Sequence, residues 1–460
     1  MRKEQNLQNL NKSLLEDIQP FLGCTDISIV ALGTALVSGA ALGFIPQWVD
    51  SRSNPGQRPP REIEPEEVIS VSLQMNEGLY KSSHSTAIPN ARGHRGAVYS
   101  AALGLFCNPG KKLNLFSNLD QGHMVKMKKV AAEKKIKIET VHKPSHNLFL
   151  YCKLTLRGKQ GIVTAESCLQ NNYSRVVFLT RNGTSLFHLA DNSLKSKDRG
   201  VILDIPYLLQ SLQYLSEEVY QKLEETVRIN TQAYEYGLKA APGLGIGARL
   251  NAMMQKQVIG SDIANLAACK TAAAEDVRMA GENIPVMGIT SSGSHGITAS
   301  IPIIAAAQKV KKNRQMLLKS IALSFWVTQR IDVLIGRLSA PCGCVIKAGI
   351  GAAAGIAYYM GGTVSQVEQA INNFIISTVG VICDGAKSTC SVKLANSASN
   401  ACHSALLALE GVTLSGETGG VVREKLQQNI KNMVLISRSM QNIDPVIVDI
   451  LKGYEDEESD

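Results

Sequence analysis

The chain has 460 residues, a formal charge of +9, and a composition that is 45% hydrophobic but only 5% aromatic. That length allows two or three domains, and a core of Ala, Val, Ile, Leu and Gly suits closely packed helices better than an aromatic-rich sandwich. Much of the excess charge lies between Lys111 and Lys143 without a nucleic-acid-binding motif, which argues against nucleic acid and for a solvated helix face beside a strand.

In chain order, the polar start MRKEQNLQNLNKSLLEDIQP lacks the apolar core of a secretory signal, so a cytoplasmic location is expected. In that compartment ten cysteines point to metal binding or catalysis before disulfides. After a capped amphipathic helix and a turn at Gly23, no charge occurs from Ile27 to Val49. The run is long enough to span a bilayer, but Gly33, Gly39, Gly43, Ser28, Ser38 and Pro46 dilute it. A buried helix with small residues at a helix–helix contact is expected there, and no membrane. SRSNPGQRPPREIEPEE, from Ser51, is a Pro-rich charged connector.

From Glu66 to His188 the period shortens. EVISVSLQM, KIETVHK, LFLYCKLTL, GIVTAES and SRVVFLT read as strands separated by turns such as LRGKQG and RNGTS, with helices over 96–105 and 121–134. Beyond Ile205 the apolar spacing is helical to about Leu451, and several helices are rich in Ala and Gly. The acidic residues after Leu451 read as a frayed terminus. The expectation is an α+β protein: a mainly helical Ala/Gly-rich catalytic bundle with an inserted α+β module carrying an antiparallel sheet. Residues 1–60 would be a helical arm packing on the bundle, 61–195 the module and 196–460 the catalytic domain.

Four segments join Cys, Gly and polar residues in apolar surroundings: LGCTD (22–26), GITSSGSHGITASIP (288–302), LSAPCGCVIKAG (338–349) and ICDGAKSTCSVK (382–393). Cys24, Cys342, Cys344 and Cys383 stand on Gly-flanked loops, two of which directly precede apolar helices, where the positive helix end favours a thiolate. Cys107, Cys152, Cys168, Cys269 and Cys402 sit singly in periodic segments and read as core. Paired C-x-x-C zinc knuckles are absent, and thiolates from three distant loops suit a [4Fe–4S] cluster with one open iron. The Ser291–Gly296 loop offers N–H groups and hydroxyls at a helix start, suited to a carboxylate or simply to a cap. It is similar to the carboxylate loop of pyridoxal-phosphate dehydratases. Lys270 in ACKTAAA lacks the flanks of a Schiff-base lysine, however, and Gly361-Gly362 and Gly419-Gly420 make no phosphate cup.

Taken with YKSSHSTAIPNARGHRGAVYSAALG (80–104), these segments in this order resemble the L-cysteine desulfidase family, which shares the serine dehydratase alpha-chain domain. The resemblance implies an iron–sulfur-dependent lyase of amino-acid catabolism that turns L-cysteine into pyruvate, ammonia and sulfide. L-serine is the alternative substrate, and a non-catalytic or zinc-stabilised interaction protein is the alternative from another class. The cluster thiolates then fall on Cys24, on Cys342 or Cys344, and on Cys383, with Cys342 preferred on its spacing to Cys383. Ser292, Gly293 and Ser294 would hold the substrate carboxylate, and His295, Lys387 and Lys393 are candidates for base or anchor. Asp26 and Ile27 replace the family's usual Glu-Pro, and Ser294-His295 its usual Asn-Gln. A small-molecule amino acid is the expected partner, and pairing of subunits a family-level expectation.

Overall fold

A computed structural model describes residues 2–53, 59–143, 148–159, 161–189, 203–414 and 420–457, with the backbone alone at 2–6 and 454–457. The centre of the Pro-rich connector, Gln160 of the LRGKQG turn, the expected boundary at 195/196, Gly419 and the last tail residues lie outside them. Two compact units emerge, one of Met1–Phe21, Gly200–Cys383 and Ser388–Gln441, the other of Leu22–Arg199, Asp384–Lys387 and Asn442–Asp460.

The chain opens in the first unit with α1 (Arg2–Asp17) and β1 (Gln19–Phe21). It then builds the second with α2 (Thr25–Ala41), β2 (Val68–Met75), α3 (Glu77–Ser83), α4 (Ala97–Gly104), α5 (Gln121–Ala132), β3 (Ile136–Thr140), β4 (Phe149–Gly158), β5 (Gly161–Gln170), β6 (Val176–Arg181) and β7 (Thr184–His188). The first unit resumes with α6 (Ile205–Ser211), α7 (Glu217–Ala240), α8 (Ile246–Gln255), α9 (Ile263–Ala280), β8 (Val286–Gly288) and α10 (Gly293–Lys309). It continues through α11 (Arg314–Ile335), α12 (Gly343–Met360), α13 (Val364–Thr378), α14 (Cys390–Leu409) and α15 (Leu426–Ser439). The last helix, α16 (Ile443–Glu457), belongs to the second unit.

Small residues let the helices of the first unit approach closely. A Cβ on Gly351 of α12 would lie 2.4 Å from the Ser324 carbonyl of α11, and one on Gly349 would meet the Phe374 ring of α13 at 2.1 Å. Helix α12 is apolar and long enough to cross a bilayer by length and composition, but it is largely buried among α10, α11, α13 and α14. Packing accounts for its apolarity. Helix α1 returns to this bundle: Trp326 Nε1 donates to the Leu10 carbonyl (3.2 Å), and Gln329 Nε2 donates to the Ser13 carbonyl (3.1 Å) and the Asp17 carboxylate (2.9 Å). Strand β1 then pairs antiparallel with β8, Gln19 opposite Gly288 and Phe21 opposite Val286.

The second unit carries a sheet of order β3-β2-β4-β5-β6-β7. Every pairing is antiparallel except β2 with β3, which are parallel. That exception follows from the connection, since β2 reaches β3 through α3, α4 and α5, a crossover of the length parallel neighbours require. Helix α2 is buried nearly all round, against β4, β5 and α4. A Cβ on Gly33 would lie 2.7 Å from Cys152 Sγ, and one on Gly104 would lie 2.1 Å from both the Ala31 carbonyl and Thr34 Oγ1. Buried hydroxyls satisfy backbone along the same contact: Ser100 donates to the Ile27 carbonyl (2.6 Å) and Ser38 to the Leu105 carbonyl (2.7 Å).

The arm expected over residues 1–60 is therefore divided. Its first 21 residues join the helical bundle, whereas α2, apolar on every face, is covered by a sheet and a helix of the second unit. The tail also differs from expectation, because helix continues to Glu457. Ile447, Val448 and Leu451 are buried, and Asp444 pairs with the buried Lys81 of α3 at 2.5 Å. At the α2–α4 crossing, Gly104→Ala is expected to destabilise the protein by about 1–3 kcal/mol through overpacking. A urea midpoint equal to the parent's would rule out the close approach.

Candidate active site

The loop from β8 to α10 turns within a bridge between Ile289 and Ser292, which forces Thr290 and Ser291 to φ 52° and 55°. A β-branched residue in that left-handed region stores roughly 1–3 kcal/mol of strain and persists only where its surroundings over-determine it. Thr290 is held in that way. Its N–H donates to the Asp17 carboxylate (3.0 Å), its carbonyl accepts from Arg337 Nη1 (3.1 Å), its hydroxyl donates to the Ile289 carbonyl (2.7 Å), and the same oxygen meets His295 Nδ1.

The expected carboxylate residues each already carry a structural load. Ser292 caps α10, its hydroxyl accepting from the His295 N–H at 3.4 Å. A Cβ on Gly293 would lie 2.5 Å from Arg278 Nε. The buried Ser294 hydroxyl donates to Glu275 (2.6 Å) and accepts from Arg278 Nη1 (2.7 Å). Both serine hydroxyls are thus engaged within the protein. What the loop presents to an anion is the backbone at the positive end of α10. Glu275 is wholly buried with Oε2 unpartnered. Burial pushes its carboxyl up to about 6, against the pull of Arg278 and the Ser294 hydrogen bond.

His295 is 5% exposed, and burial, reinforced by the charge of Lys347, lowers its pKa to about 3, so the imidazole is neutral. Its Nε2 lies 3.0 Å from where a Cβ on Gly343 would stand, and Lys347 Nζ lies 3.2 Å from the same point. A side chain at 343 would crowd both. The imidazole and the ammonium thus meet at the Cys342-Gly343-Cys344 turn. Lys347 is itself fully buried and donates to Asp332 Oδ1 (2.9 Å), the Arg337 carbonyl (3.2 Å) and the Gly336 carbonyl. Although burial pushes the Asp332 carboxyl up, the charges of Lys347 and Arg337 hold it below its ordinary value.

Backbone pairing aligns the cysteine loops. Cys342 N–H donates to the Val381 carbonyl and Cys383 N–H to the Ala340 carbonyl, both at 2.8 Å, around a bridge between Pro341 and Ile382. The Cys342 thiol, 4% exposed at the start of α12, is hydrogen-bonded to both Cys344 and Cys383. Its bond with Cys344, together with burial, pushes its pKa up to about 12, and the bond with Cys383 opposes that shift. Among the described residues no three His, Cys, Asp or Glu side chains form a group that could hold a metal ion as they stand. The donor set is nevertheless that of a soft metal centre, because three thiols meet through Cys342 at a helix N-terminus, although the protein surroundings alone keep the Cys342 thiol protonated. Lys393 Nζ donates to the Ile382 carbonyl at 3.3 Å, in the same unit.

Cys24 and Lys387 fall in the second unit. Cys24, 2% exposed, stands at the start of α2 with its Sγ 3.8 Å from Asp26 Oδ2, and Asp26 also accepts from the Tyr173 hydroxyl. Gly23, at φ 63°, has no room for a Cβ because Pro89 Cγ would lie 2.1 Å away. Gly385, at φ 98°, is pressed still closer to the Lys81 carbonyl, while Thr86 donates to the Ala386 carbonyl (2.6 Å). Lys387 Nζ donates to the Asp384 carbonyl. Stretch 80–104 thus cradles both the Gly23 turn and the Asp384–Lys387 loop.

Sequence reasoning passed over Thr290, Glu275, Arg278, Asp332 and Lys347. The signal for Lys347 was available: a single charge within CVIKAGIGAAAG demands a buried partner. For Glu275 the sign of a pH effect is fixed. The folded chain holds its proton up to about 6 and the unfolded chain only to about 4.5, so stability falls by about 2 kcal/mol as pH rises across that window. Glu275→Gln is expected to flatten that part of a plot of urea midpoint against pH, and an unchanged slope would reject the assignment.

The serine dehydratase alpha chain family matches residues 97–449. The chain is 32% identical to a UPF0597 protein of Desulfotalea psychrophila over 455 residues, covering 96% of this chain and 98% of the relative. It is 31% identical to a UPF0597 protein of Desulfatibacillum aliphaticivorans over 448 residues, covering 94% and 95%. A UPF0597 protein of Clostridioides difficile is 29% identical over 455 residues, covering 95% and 98%. The loops that bring Cys342, Cys344, Cys383 and His295 together all lie inside the matched span, and the chain belongs to the serine dehydratase alpha chain family, alongside the UPF0597 proteins.

Proposed function

We propose that the protein is a [4Fe–4S]-dependent lyase that converts L-cysteine to pyruvate, ammonia and sulfide. The family is of amino-acid lyase type and generally iron–sulfur-dependent, which supports the coarser part of this reading. The observation that carries the rest is the meeting of three thiols with a neutral histidine and a buried lysine at the Cys342-Gly343-Cys344 turn. Cys383 and Cys342 or Cys344 would hold the cluster from the first unit, and the resemblance assigns Cys24 as the further ligand. When bound, the cluster supplies a Lewis-acidic iron for the leaving group, soft enough to favour sulfur over oxygen.

The remaining roles belong to the chain itself. The backbone N–H groups at the start of α10 attract the substrate carboxylate. His295, neutral and aimed by Nε2 at the turn, accepts the Cα proton, and the C–S bonding pair departs with sulfur as sulfide. The aminoacrylate so released tautomerises and hydrolyses to pyruvate and ammonium. The positive charge of Lys347 favours the negative charge that develops at Cα and on the carboxylate during proton transfer. Lys393 and Lys387 take no part in proton transfer in this scheme, since each caps a backbone carbonyl beside the Cys383 loop. L-serine is the second reading, favoured by the family's own description, and would lose hydroxide in place of sulfide. The proposed setting is the cytoplasm, with a free amino acid as partner and subunit pairing as in related lyases.

Anaerobic reconstitution with iron and sulfide, followed by pyruvate assays on L-cysteine and L-serine, tests the reading. Among Cys→Ala changes at 24, 342, 344 and 383, three are expected to lose iron and one to keep it. His295→Ala is expected to keep iron and lower kcat by about 10²–10⁴-fold. Iron bound without pyruvate from either substrate would overturn the lyase proposal.

A further inference from the structure

Position 290 poses a question that the reaction alone does not answer. A φ of 52° there would suit glycine, yet the chain places a β-branched threonine and ties its N–H, its carbonyl and its hydroxyl to other groups. What threonine offers over glycine is the hydroxyl, and that hydroxyl touches His295 Nδ1. The hydroxyl also lies 2.7 Å from the Ile289 carbonyl, which can only accept; with its single proton given to that carbonyl, the oxygen accepts from the ring.

We propose that Thr290 is a positioning residue that fixes His295 as the Nδ1–H tautomer, leaving the Nε2 lone pair directed at the Gly343 turn. With the other tautomer the ring would present an N–H to that turn and could take no proton there. The anchors of Thr290 come from separate elements, Asp17 at the end of α1 and Arg337 in the loop after α11. The ring orientation is therefore set by the packing of the bundle and not by the loop alone. The catalytic consequence rests on the lyase reading above, whereas the tautomer assignment does not.

The test compares parent, Thr290→Ser and Thr290→Gly proteins. Glycine removes the hydroxyl and also relieves the backbone, so loss of folding does not confound the comparison. In apoprotein labelled with ¹⁵N-histidine, with the signal assigned by its absence from His295→Ala, long-range ¹H–¹⁵N spectra are expected to show His295 as Nδ1–H in parent and Thr290→Ser. Thr290→Gly should shift it measurably toward Nε2–H. In reconstituted enzyme, kcat of Thr290→Gly should fall by about tenfold or more with KM little changed, and Thr290→Ser should restore it. An unchanged Nδ1–H signal in Thr290→Gly would overturn the proposal, as would Nε2–H in the parent. A parent that makes no pyruvate but shows the expected tautomer change would sink the lyase reading and leave the positioning role standing.

Discussion

An ammonium wholly out of water must be paired, and Lys347 is the buried charge around which the candidate site is arranged. Removing one member of such a pair commonly costs 3–5 kcal/mol, because the survivor is left charged and unsolvated. The Nζ group draws in Asp332 from the last turns of α11 and two carbonyls from the Gly336-Arg337 loop, which fastens the end of α11 to the first turn of α12. Arg337, placed by that fastening, reaches across to the Thr290 carbonyl. The α11–α12 connection and the β8–α10 loop, distant in sequence, are thus arranged around a single cation. The same cation, added to burial, raises the cost of protonating the neighbouring imidazole and keeps His295 neutral.

A second buried set, Glu275, Ser294 and Arg278, performs a similar task between α9 and α10. It can lie in the interior only because the surrounding helices are so poor in bulk. Gly237 and Gly247 both bring backbone against Ala273 of α9, at 2.1 and 2.4 Å from the position of a Cβ. Close backbone approach and buried charge belong together in this fold. The small residues let the helices come near, and Ser294 of α10 bonds to both members of the Glu275–Arg278 pair on α9.

The features legible in the sequence were those governed by local periodicity and composition. The Ala/Gly-rich helices, the alternating strands and the buried character of α2 follow from spacing that each segment carries within itself. The clustering of Cys342 with Cys344 and Cys383 was foreshadowed by their Gly-flanked loops. The destination of α2 was not legible, because an all-round apolar helix states that it must be covered without stating by what. The parallel β2–β3 pair was missed for a related reason, since pairing direction is set by the path of the connection and not by the strands. Ser294 read as a ligand group because a hydroxyl at a helix start is equally suited to an external anion and to an internal partner. The internal partner, Glu275, lies 19 residues away in sequence.

The pairing of β1 with β8 has a consequence for how the chain is made. Gln19 leaves the ribosome early, but its partner Gly288 follows roughly 270 residues later, about 13–55 s at ordinary rates of synthesis. Through that interval α1 and β1 have no bundle to join, although the second unit, assembled chiefly from residues 22–199, can gather its sheet in the meantime. Its closing helix, α16, follows the whole of the first unit in sequence. The order of synthesis therefore runs against the order of assembly for β1 and for α16. Until β8 and the bundle have been made, α1 and β1 therefore lack the partners they pack and pair with.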